Sequence, residues 1–591
     1  MNHPLSQKFK IAIAQLNTNV GDIAGNLAKA RQARKQAIHQ GADLILFTEL
    51  FISGYPSEDL ILKKDFVQKC YEAINSLKND TLDHGPGIIV GFPRQDKDSI
   101  FNSVAVLDTG NIIAIRDKIN LPNYDEFHEK RIFIPGHIND PIQFRGISIG
   151  VLICEDIWKD SKICKLLAKK GAEILLVLNA SPYCQDKLKI RHKTVFKQVV
   201  ATRLPIVYAN QIGGQDELVF DGGSFCWNSN HQLAFQMKQF KEECSITNWI
   251  YDTKFGWYCT TTSKAYLPEC DEANYNACVL GLRDYIKKND FRKVIIGLSG
   301  GIDSALCAAM AVDAFGKEHV QTIMLPYIYT SAHSLEDAAS CAKALGCQYD
   351  ILPIKGIVDN FFFMMSQFFK ENIDGIVAEN IQSRIRGNIL MAISNKLGAM
   401  LITTGNKSEI SVGYGTLYGD MNGGFNPIKD LYKTEVYKLA SWRNSHCLPE
   451  GLGPSEKVIP IRIIEKEPSA ELRPNQKDQD SLPPYSVLDD IIKCMAEHEM
   501  PAVMISQKGY SPDIIHQVED LFYRSEHKRR QSSPGTKITP KSFGRDRLYP
   551  ISHKFRSKGE NHPILTRPAD LAKHDELHLD FSNNTPKKTE I

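Results

Sequence analysis

The chain has 591 residues, and one hydrophobic core rarely serves more than roughly 250–300, so two large domains are expected. With 71 Lys and Arg against 69 Asp and Glu, the net charge of +2 leaves no electrostatic footprint for nucleic acid or an anionic membrane. Fourteen cysteines, none in a C-x-x-C pair, exclude a disulfide framework, zinc-finger spacing and thioredoxin-like pairs, and suit a reducing cytosol.

The opening MNHPLSQKFK lacks the apolar stretch of a signal peptide, and no run approaches the ~18 apolar residues of a membrane span. HDEL at 574–577 is internal and so does not read as a retention signal. KIAIAQLN then reads as a strand and NLAKARQARKQAIHQG as a helix closed by Gly41. ADLILFTEL, GIIVGFP, SVAVLD, ISIGVLIC, AEILLVLNAS and LPIVYANQI follow as strands, several of them apolar throughout, as strands buried on both faces are. This alternation predicts a layered α/β domain over residues 1–245. Residues 246–275 lack periodicity and read as a connector. A second cycle runs over 276–550: helix ACVLGLRDYIKKND, strand KVIIGL, a glycine turn, helix SALCAAMAVDAFG, and strands VQTIMLP, QYDILPI and AMLITTG between helices. That order predicts a doubly wound parallel sheet. Residues 551–591 turn polar and read as a loosely held tail.

Three reactive side chains each follow a predicted strand: Glu49, Lys118 and Cys154. Ligands bind at the carboxyl ends of strands in such folds, so the three can converge on one pocket. Taken singly, a strand-end acid or lysine is an ordinary rim residue, and a cysteine is an ordinary core residue. Together they fit one chemistry. A carboxylate takes the thiol proton, a lysine steadies an oxyanion, and the N–H of Glu155 supplies a second donor at a sharp strand-to-helix turn. A helix beginning in DIWKDSKICKLLAKKG would place the sulfur near a positive dipole end.

FTELFISGYP, RDKINLPNYDEFHEKRIFIPG, VLICEDIW and NASPY resemble the motifs of the nitrilase, or carbon–nitrogen hydrolase, superfamily. The resemblance implies an αββα sandwich and hydrolysis of a carboxamide through a thioester. It makes Cys154 the nucleophile, Glu49 the general base, Lys118 the oxyanion stabiliser and Glu126 the accessory glutamate. It places glutamine on Tyr124, Ser181 and Lys187.

In the second half, Ser299-Gly300-Gly301-Ile302-Asp303-Ser304 lies between a strand and a helix. Glycines let backbone N–H groups approach an anion, the following helix offers more, and Asp303 near phosphate calls for a divalent cation, Mg²⁺. A Walker A sequence is absent, and TGNKSE at 404–409 lacks its glycine before lysine. The strand–SGGxDS–helix context resembles the pyrophosphatase loop of the PP-loop ATP pyrophosphatases, which implies a Rossmann-like domain and adenylation of an acceptor.

AENIQSRIRGNILMAISN, LITTGNKSEISVGYGTLYGDMNGGFNPIKDLYKTEVYKL, KEPSAELRPNQKDQDSLPPY and HKRRQSSPGTKITPKSFGRDRLYPI resemble the NAD synthetases, and with the amidase in front the chain resembles their glutamine-dependent members. This implies ATP on Gly297, Leu298, Ser299, Gly300, Gly301, Ile302, Asp303, Ser304, Thr404 and Lys433. It implies deamido-NAD⁺ on Asn380, Arg384, Glu409 and Lys541, with Arg386 near its charged groups. Asp303 and Glu409 are the Mg²⁺ donors. A cytoplasmic homo-oligomer acting on small molecules, without nucleic acid or membrane partners, is the corresponding expectation. GMP synthetases use a Cys–His–Glu amidase and asparagine synthetases an N-terminal cysteine, where residue 2 here is Asn. A non-catalytic scaffold is the remaining alternative, against which the intact Glu49, Lys118, Cys154 and SGGIDS stand.

Overall fold

Apolar runs of the first half become two sheets stacked face to face in a computed structural model that describes residues 8–159 and 162–556. The first sheet runs, in spatial order, Gly256–Cys259, Glu243–Asp252, Lys8–Gln15, Leu44–Leu46, Gly87–Asp96, Ser99–Asp108 and Asn111–Asp117. The second runs Leu233–Gln236, Phe225–Trp227, Ile206–Asn210, Ile174–Asn179, Ile147–Ile153 and Ile142–Phe144. Side chains alternate across a strand, so each strand feeds two layers. Ile11, Ile13, Leu44 and Leu46 meet Ile149, Ile153, Leu176 and Leu178 between the sheets. Their neighbours Ala12, Ala14, Ile45 and Phe47 pack under helices Ile23–His39 and Lys64–Asp80. On the far side Leu152, Leu175 and Val177 lie beneath helices Lys162–Lys169 and Lys187–Thr202. The layers are helix, sheet, sheet, helix.

The stretch expected as a connector belongs in large part to this sandwich. Glu243–Asp252 pairs antiparallel with the whole of Lys8–Gln15, and Gly256–Cys259 folds back on it. The physical reason is a hairpin: aromatic and β-branched residues in ITNWIYD and WYC flank a TKFG turn, and Trp249 and Trp257 are buried in the inter-sheet core. The next helix begins at Cys270, ahead of the expected boundary.

The second domain is built on a four-stranded parallel sheet, ordered Gln348–Ile351, Val320–Met324, Val294–Gly297, Met400–Ile402. Helices Cys270–Lys288, Ile302–Phe315 and Lys433–Ser445 cover one face, and Lys355–Phe369 with Gly375–Leu397 cover the other. Strand order reverses at Val294–Gly297, so a crevice opens where the glycine turn leaves that strand. The hairpin Ile212–Gln215/Leu218–Asp221 of the first domain docks on helix Cys270–Lys288, where Gly214 and Gly281 allow the backbones to touch. Ile212, Val219 and Tyr183 thereby join the core of the second domain. No helix among the described residues is long and apolar enough to cross a membrane. Most of the expected tail, residues 557–591, lies outside the described residues.

Candidate active sites

Glu49, Lys118 and Cys154 converge at the carboxyl ends of both sheets and are all buried. Glu49 sits on a turn that crosses directly over Gly91, where any Cβ would lie 2.3 Å from the Leu50 nitrogen. Its Oε1 accepts hydrogen bonds from Lys118 Nζ at 2.6 Å and Asn102 Nδ2 at 2.8 Å, and its Oε2 accepts from the Ala180 N–H at 3.1 Å. Lys118 follows strand Asn111–Asp117 directly, and its N–H donates to the Asn102 carbonyl.

Cys154 is strained. It has φ 42° and ψ −100°, a conformation that costs a non-glycine residue on the order of 1–3 kcal/mol and turns the sulfur out of the strand. Asp156 holds the elbow closed. Its Oδ2 accepts from Ile153 N, while its Oδ1 accepts from Ile119 N and Asn120 N, clamping the Cys154 turn to the end of the Lys118 strand. The helix after Cys154 is a single turn, Glu155–Trp158, so the expected dipole contribution is small. The thiol is accordingly not acidified: burial and the Glu49 charge push its pKa well above the ordinary value, with Lys118 opposing. Burial therefore favours the neutral thiol over the thiolate.

The second acid beside Lys118 is Glu129, whereas Glu126 was the one expected there. Glu129 Oε1 accepts from Lys118 Nζ at 2.9 Å and from Tyr55 OH at 2.9 Å, and its Oε2 is buried without a protein partner. Burial raises its carboxyl to about 7, with Lys118 opposing and Glu49 adding to the rise. Burial by itself would neutralise Lys118, but Glu129 and Glu49 outweigh it and keep the ammonium charged. Glu126 instead reaches into the seam between domains, 2.7 Å from Lys537. In YDEFHEKR two acids compete for the role, and only the short helix Glu129–Arg131 decides which one turns inward.

The expected glutamine contacts border this centre. Tyr124 OH donates to Glu155 Oε2 at 2.8 Å, and the Lys187 ammonium lies 4.8 Å from the Trp158 ring centre. Ser181 is buried, and its Oγ accepts from Arg191 Nε at 3.1 Å. Arg191, which sequence reasoning passed over, is fully buried; it bonds the Ser181 and Pro182 carbonyls and pairs with Asp221, pinning the NASPY loop. An arginine in an amphipathic helix carries no sequence signal for such a role.

The second site forms where the strand Val294–Gly297 ends. Gly300 has φ +79°, and a Cβ there would meet the Ser334 carbonyl oxygen at 2.4 Å. Leu298 is buried and its N–H joins the sheet through Ile323, while Ile302 anchors the next helix in the core. The Ser299 and Ser304 hydroxyls cross-link the turn at 3.0–3.2 Å, bonding each other, the Ser299 N–H and the Gly301 N–H and carbonyl. Lys466 Nζ donates to the Gly300 carbonyl and Ser334 Oγ, a support that the sequence did not single out.

Asp303, Glu409 and Lys433 meet here. Lys433 Nζ lies 2.6 Å from Asp303 Oδ2 and 3.2 Å from Glu409 Oε1, and Asn406 Nδ2 donates to Asp303 Oδ1 at 2.9 Å. TGNKSE is a capped helix start: Asn406 and Glu409 form a reciprocal capping box, which aims Glu409. Burial raises the Glu409 carboxyl to about 8, Lys433 opposing and Asp303 adding to the rise. Thr404 follows strand Met400–Ile402 at the same sheet edge.

Glu409 opens onto a cavity that Tyr414, Asp420, Asn426, Lys528 and Ser532 also line. On helix Gly375–Leu397, Asn380 accepts from Thr416 Oγ1 and Arg384 donates to the Leu417 carbonyl, so both face the loop beside that cavity. Arg386 is half-buried, and desolvation lowers its pKa to about 10. Lys541 is buried near Glu499 and Asp125 at the domain seam and does not line the cavity. Lys528 does, held by the carbonyls of Gly413 and Gly415 at 2.7 Å. The basic run HKRR carried that signal.

Two families account for the two sites. Residues 10–249 match the carbon–nitrogen hydrolase model, and residues 274–532 match the NAD synthase model. Along its length the chain is 43% identical to the glutamine-dependent NAD(+) synthetase of Rhodobacter capsulatus, covering 94% of this chain and 100% of that one. It is 38% identical to that of Thermotoga maritima, covering 93% and 99%. The solved glutamine-dependent NAD⁺ synthetase of Acinetobacter baumannii, in complex with ADP, superposes with a TM-score of 0.74 at 41% identity, covering 92% and 98%. The chain belongs to the glutamine-dependent NAD(+) synthetase family.

Proposed function

We propose that the protein amidates deamido-NAD⁺ to NAD⁺, using ATP and nitrogen released from glutamine in its own first domain. The observation that carries this reading is the coexistence, in one chain, of a buried Glu49–Lys118–Cys154 cluster and an Asp303–Glu409–Lys433 cluster beside a glycine loop. In the first site Glu49 takes the Cys154 proton as sulfur attacks the glutamine amide. Lys118 and the Glu155 N–H stabilise the oxyanion, and Glu49 passes its proton to the departing nitrogen, so that ammonia leaves and the carboxylate is free again. Water, activated by Glu49, then hydrolyses the thioester to glutamate.

In the second site the loop Ser299–Ser304 cradles the ATP phosphates while the nicotinate carboxylate attacks the α-phosphate and diphosphate departs. Ammonia then displaces AMP. Asp303 and Glu409 are hard oxygen donors that Lys433 brings to one point, and they would hold Mg²⁺, which when bound would neutralise phosphate charge. Glu409 and Lys528 orient the acceptor, and Lys433 steadies the charge on the phosphates. Free cysteines throughout the described residues fit a cytoplasmic setting. Exposed Phe363, Met364, Phe368, Ile376 and Val377 fit a homo-oligomer joined through that apolar face.

Replacing Cys154 by Ala tests the division of labour. Glutamine-supported NAD⁺ formation is expected to fall by at least about 10³-fold, the scale of losing an essential nucleophile, while added ammonium still supports synthesis. Equal loss with both nitrogen sources contradicts the reading.

A further inference from the structure

A cavity of about 370 Å³ lies on the seam between the domains, and none of the residues of the two clusters lines it. That volume is within the range of small-molecule sites, roughly 300–1,000 Å³. Five cationic side chains line it: Lys429, Arg529, Arg530, Arg545 and Arg547. Three carboxylates oppose them, Asp216, Glu217 and Glu526.

The pairing is uneven. Lys429 is matched by Glu217 at 2.8 Å, and Arg545 and Arg547 lean outward to Glu58 and Glu499. Arg529 and Arg530, in contrast, share one acid: Glu526 accepts from both Nε atoms, at 2.9 and 2.7 Å. Arg529 is only 6% exposed, its guanidinium packs between the Phe522 and Phe543 rings, and its Nη2 is buried without a hydrogen-bond partner. A buried guanidinium N–H left unpaired is costly, and an anionic oxygen is the acceptor that relieves it. Tyr285 and Phe543 add flat apolar walls.

We propose that this seam cavity binds a small phosphate-bearing anion, diphosphate or a nucleoside monophosphate, on the Arg529–Arg530 pair. Two adjacent guanidiniums sharing one carboxylate carry an excess positive charge, and their forked donors match phosphate oxygens. The site has a route to the chemistry. Arg529 and Ser532 also line the cavity onto which Glu409 opens, so one guanidinium forms a wall of both.

The test is calorimetric titration of the full chain with sodium diphosphate and, separately, with AMP. The glycine-loop site is first filled with α,β-methylene-ATP and Mg²⁺, and ionic strength is held constant. One further binding event is expected in the wild type, weakened tenfold or more by Arg530→Gln and by Arg529→Gln, with Arg530→Lys restoring part of it. Thermal melts establish that each variant is folded. Binding of diphosphate alone assigns an inorganic source, and tighter binding of AMP assigns a nucleotide. No binding of either probe to the wild type, or binding that both glutamine variants leave unchanged, overturns the proposal.

Discussion

Glu129 and Glu126 stand three positions apart in one loop, yet they do opposite work, and burial is what separates them. Glu129 carries its carboxyl against the Lys118 ammonium inside the first domain, where its pKa is raised to about 7. Only the ionised form balances Lys118 together with Glu49, so glutamine hydrolysis is expected to rise with pH through about 7. Glu129→Gln should remove that rising limb and lower kcat/KM by roughly 10²-fold, which a pH profile of glutamate release will read. The effect on folding has the opposite sense. Between the ordinary carboxyl value of 4.5 and about 7, the folded state keeps a proton that the unfolded chain has lost. This contribution to stability is therefore full below 4.5 and is lost as pH rises through 7.

The two turns that present the reactive groups are elements of different kinds. Cys154 is held in a left-handed conformation that its side chain does not favour, and Asp156 closes the turn with three backbone hydrogen bonds. The glycine turn meets the same demand by having no Cβ, because a Cβ on Gly300 would lie 2.4 Å from the Ser334 carbonyl oxygen. Gly300→Ala is expected to displace the loop at a cost on the order of 1–3 kcal/mol. Ammonium-supported synthesis should drop at least tenfold while glutamine hydrolysis persists, as parallel assays of the two half-reactions will report. Periodicity made most of these elements legible: the apolar runs ending at Cys154 and at the glycine loop are strands, as read. The hairpin at 243–259 was not legible, because its aromatic residues alternate across a sheet edge that is created only when the chain returns to pair with its own first strand.

Across the whole molecule, one segment ties the two sites together. Lys537 is buried at the seam, 2.7 Å from Glu126 of the first domain and 2.7 Å from Asp546 of the second. The following residues, Ile538 and Thr539, donate to Asp430, which pairs with Lys407 in the helix that carries Glu409. Gln185 donates to the Ile538 carbonyl and to Glu435, so the NASPY loop is anchored in the same place. Glu126→Gln removes one of two carboxylates on a buried ammonium. It is expected to destabilise the protein by about 1–3 kcal/mol, less than the loss of a sole partner because Asp546 remains. Chemical denaturation measures this, and near-normal glutamine hydrolysis in the variant separates a seam residue from a catalytic one.

The sequence by itself pointed to two α/β domains and to where most of their strands end, and it marked Glu49, Lys118, Cys154, Asp303 and Glu409, which the fold gathers into two clusters. Periodicity and strand-end position are local properties, and local properties survive without coordinates. Only the tertiary structure decided that Glu129 rather than Glu126 faces Lys118, and that Lys528 rather than Lys541 lines the cavity of Glu409. It alone revealed that Arg191, Lys466 and Lys537 brace the two sites. Each of those outcomes turns on which of several similar charges becomes buried beside an opposite one, and burial is set by the packing of segments far apart in the chain.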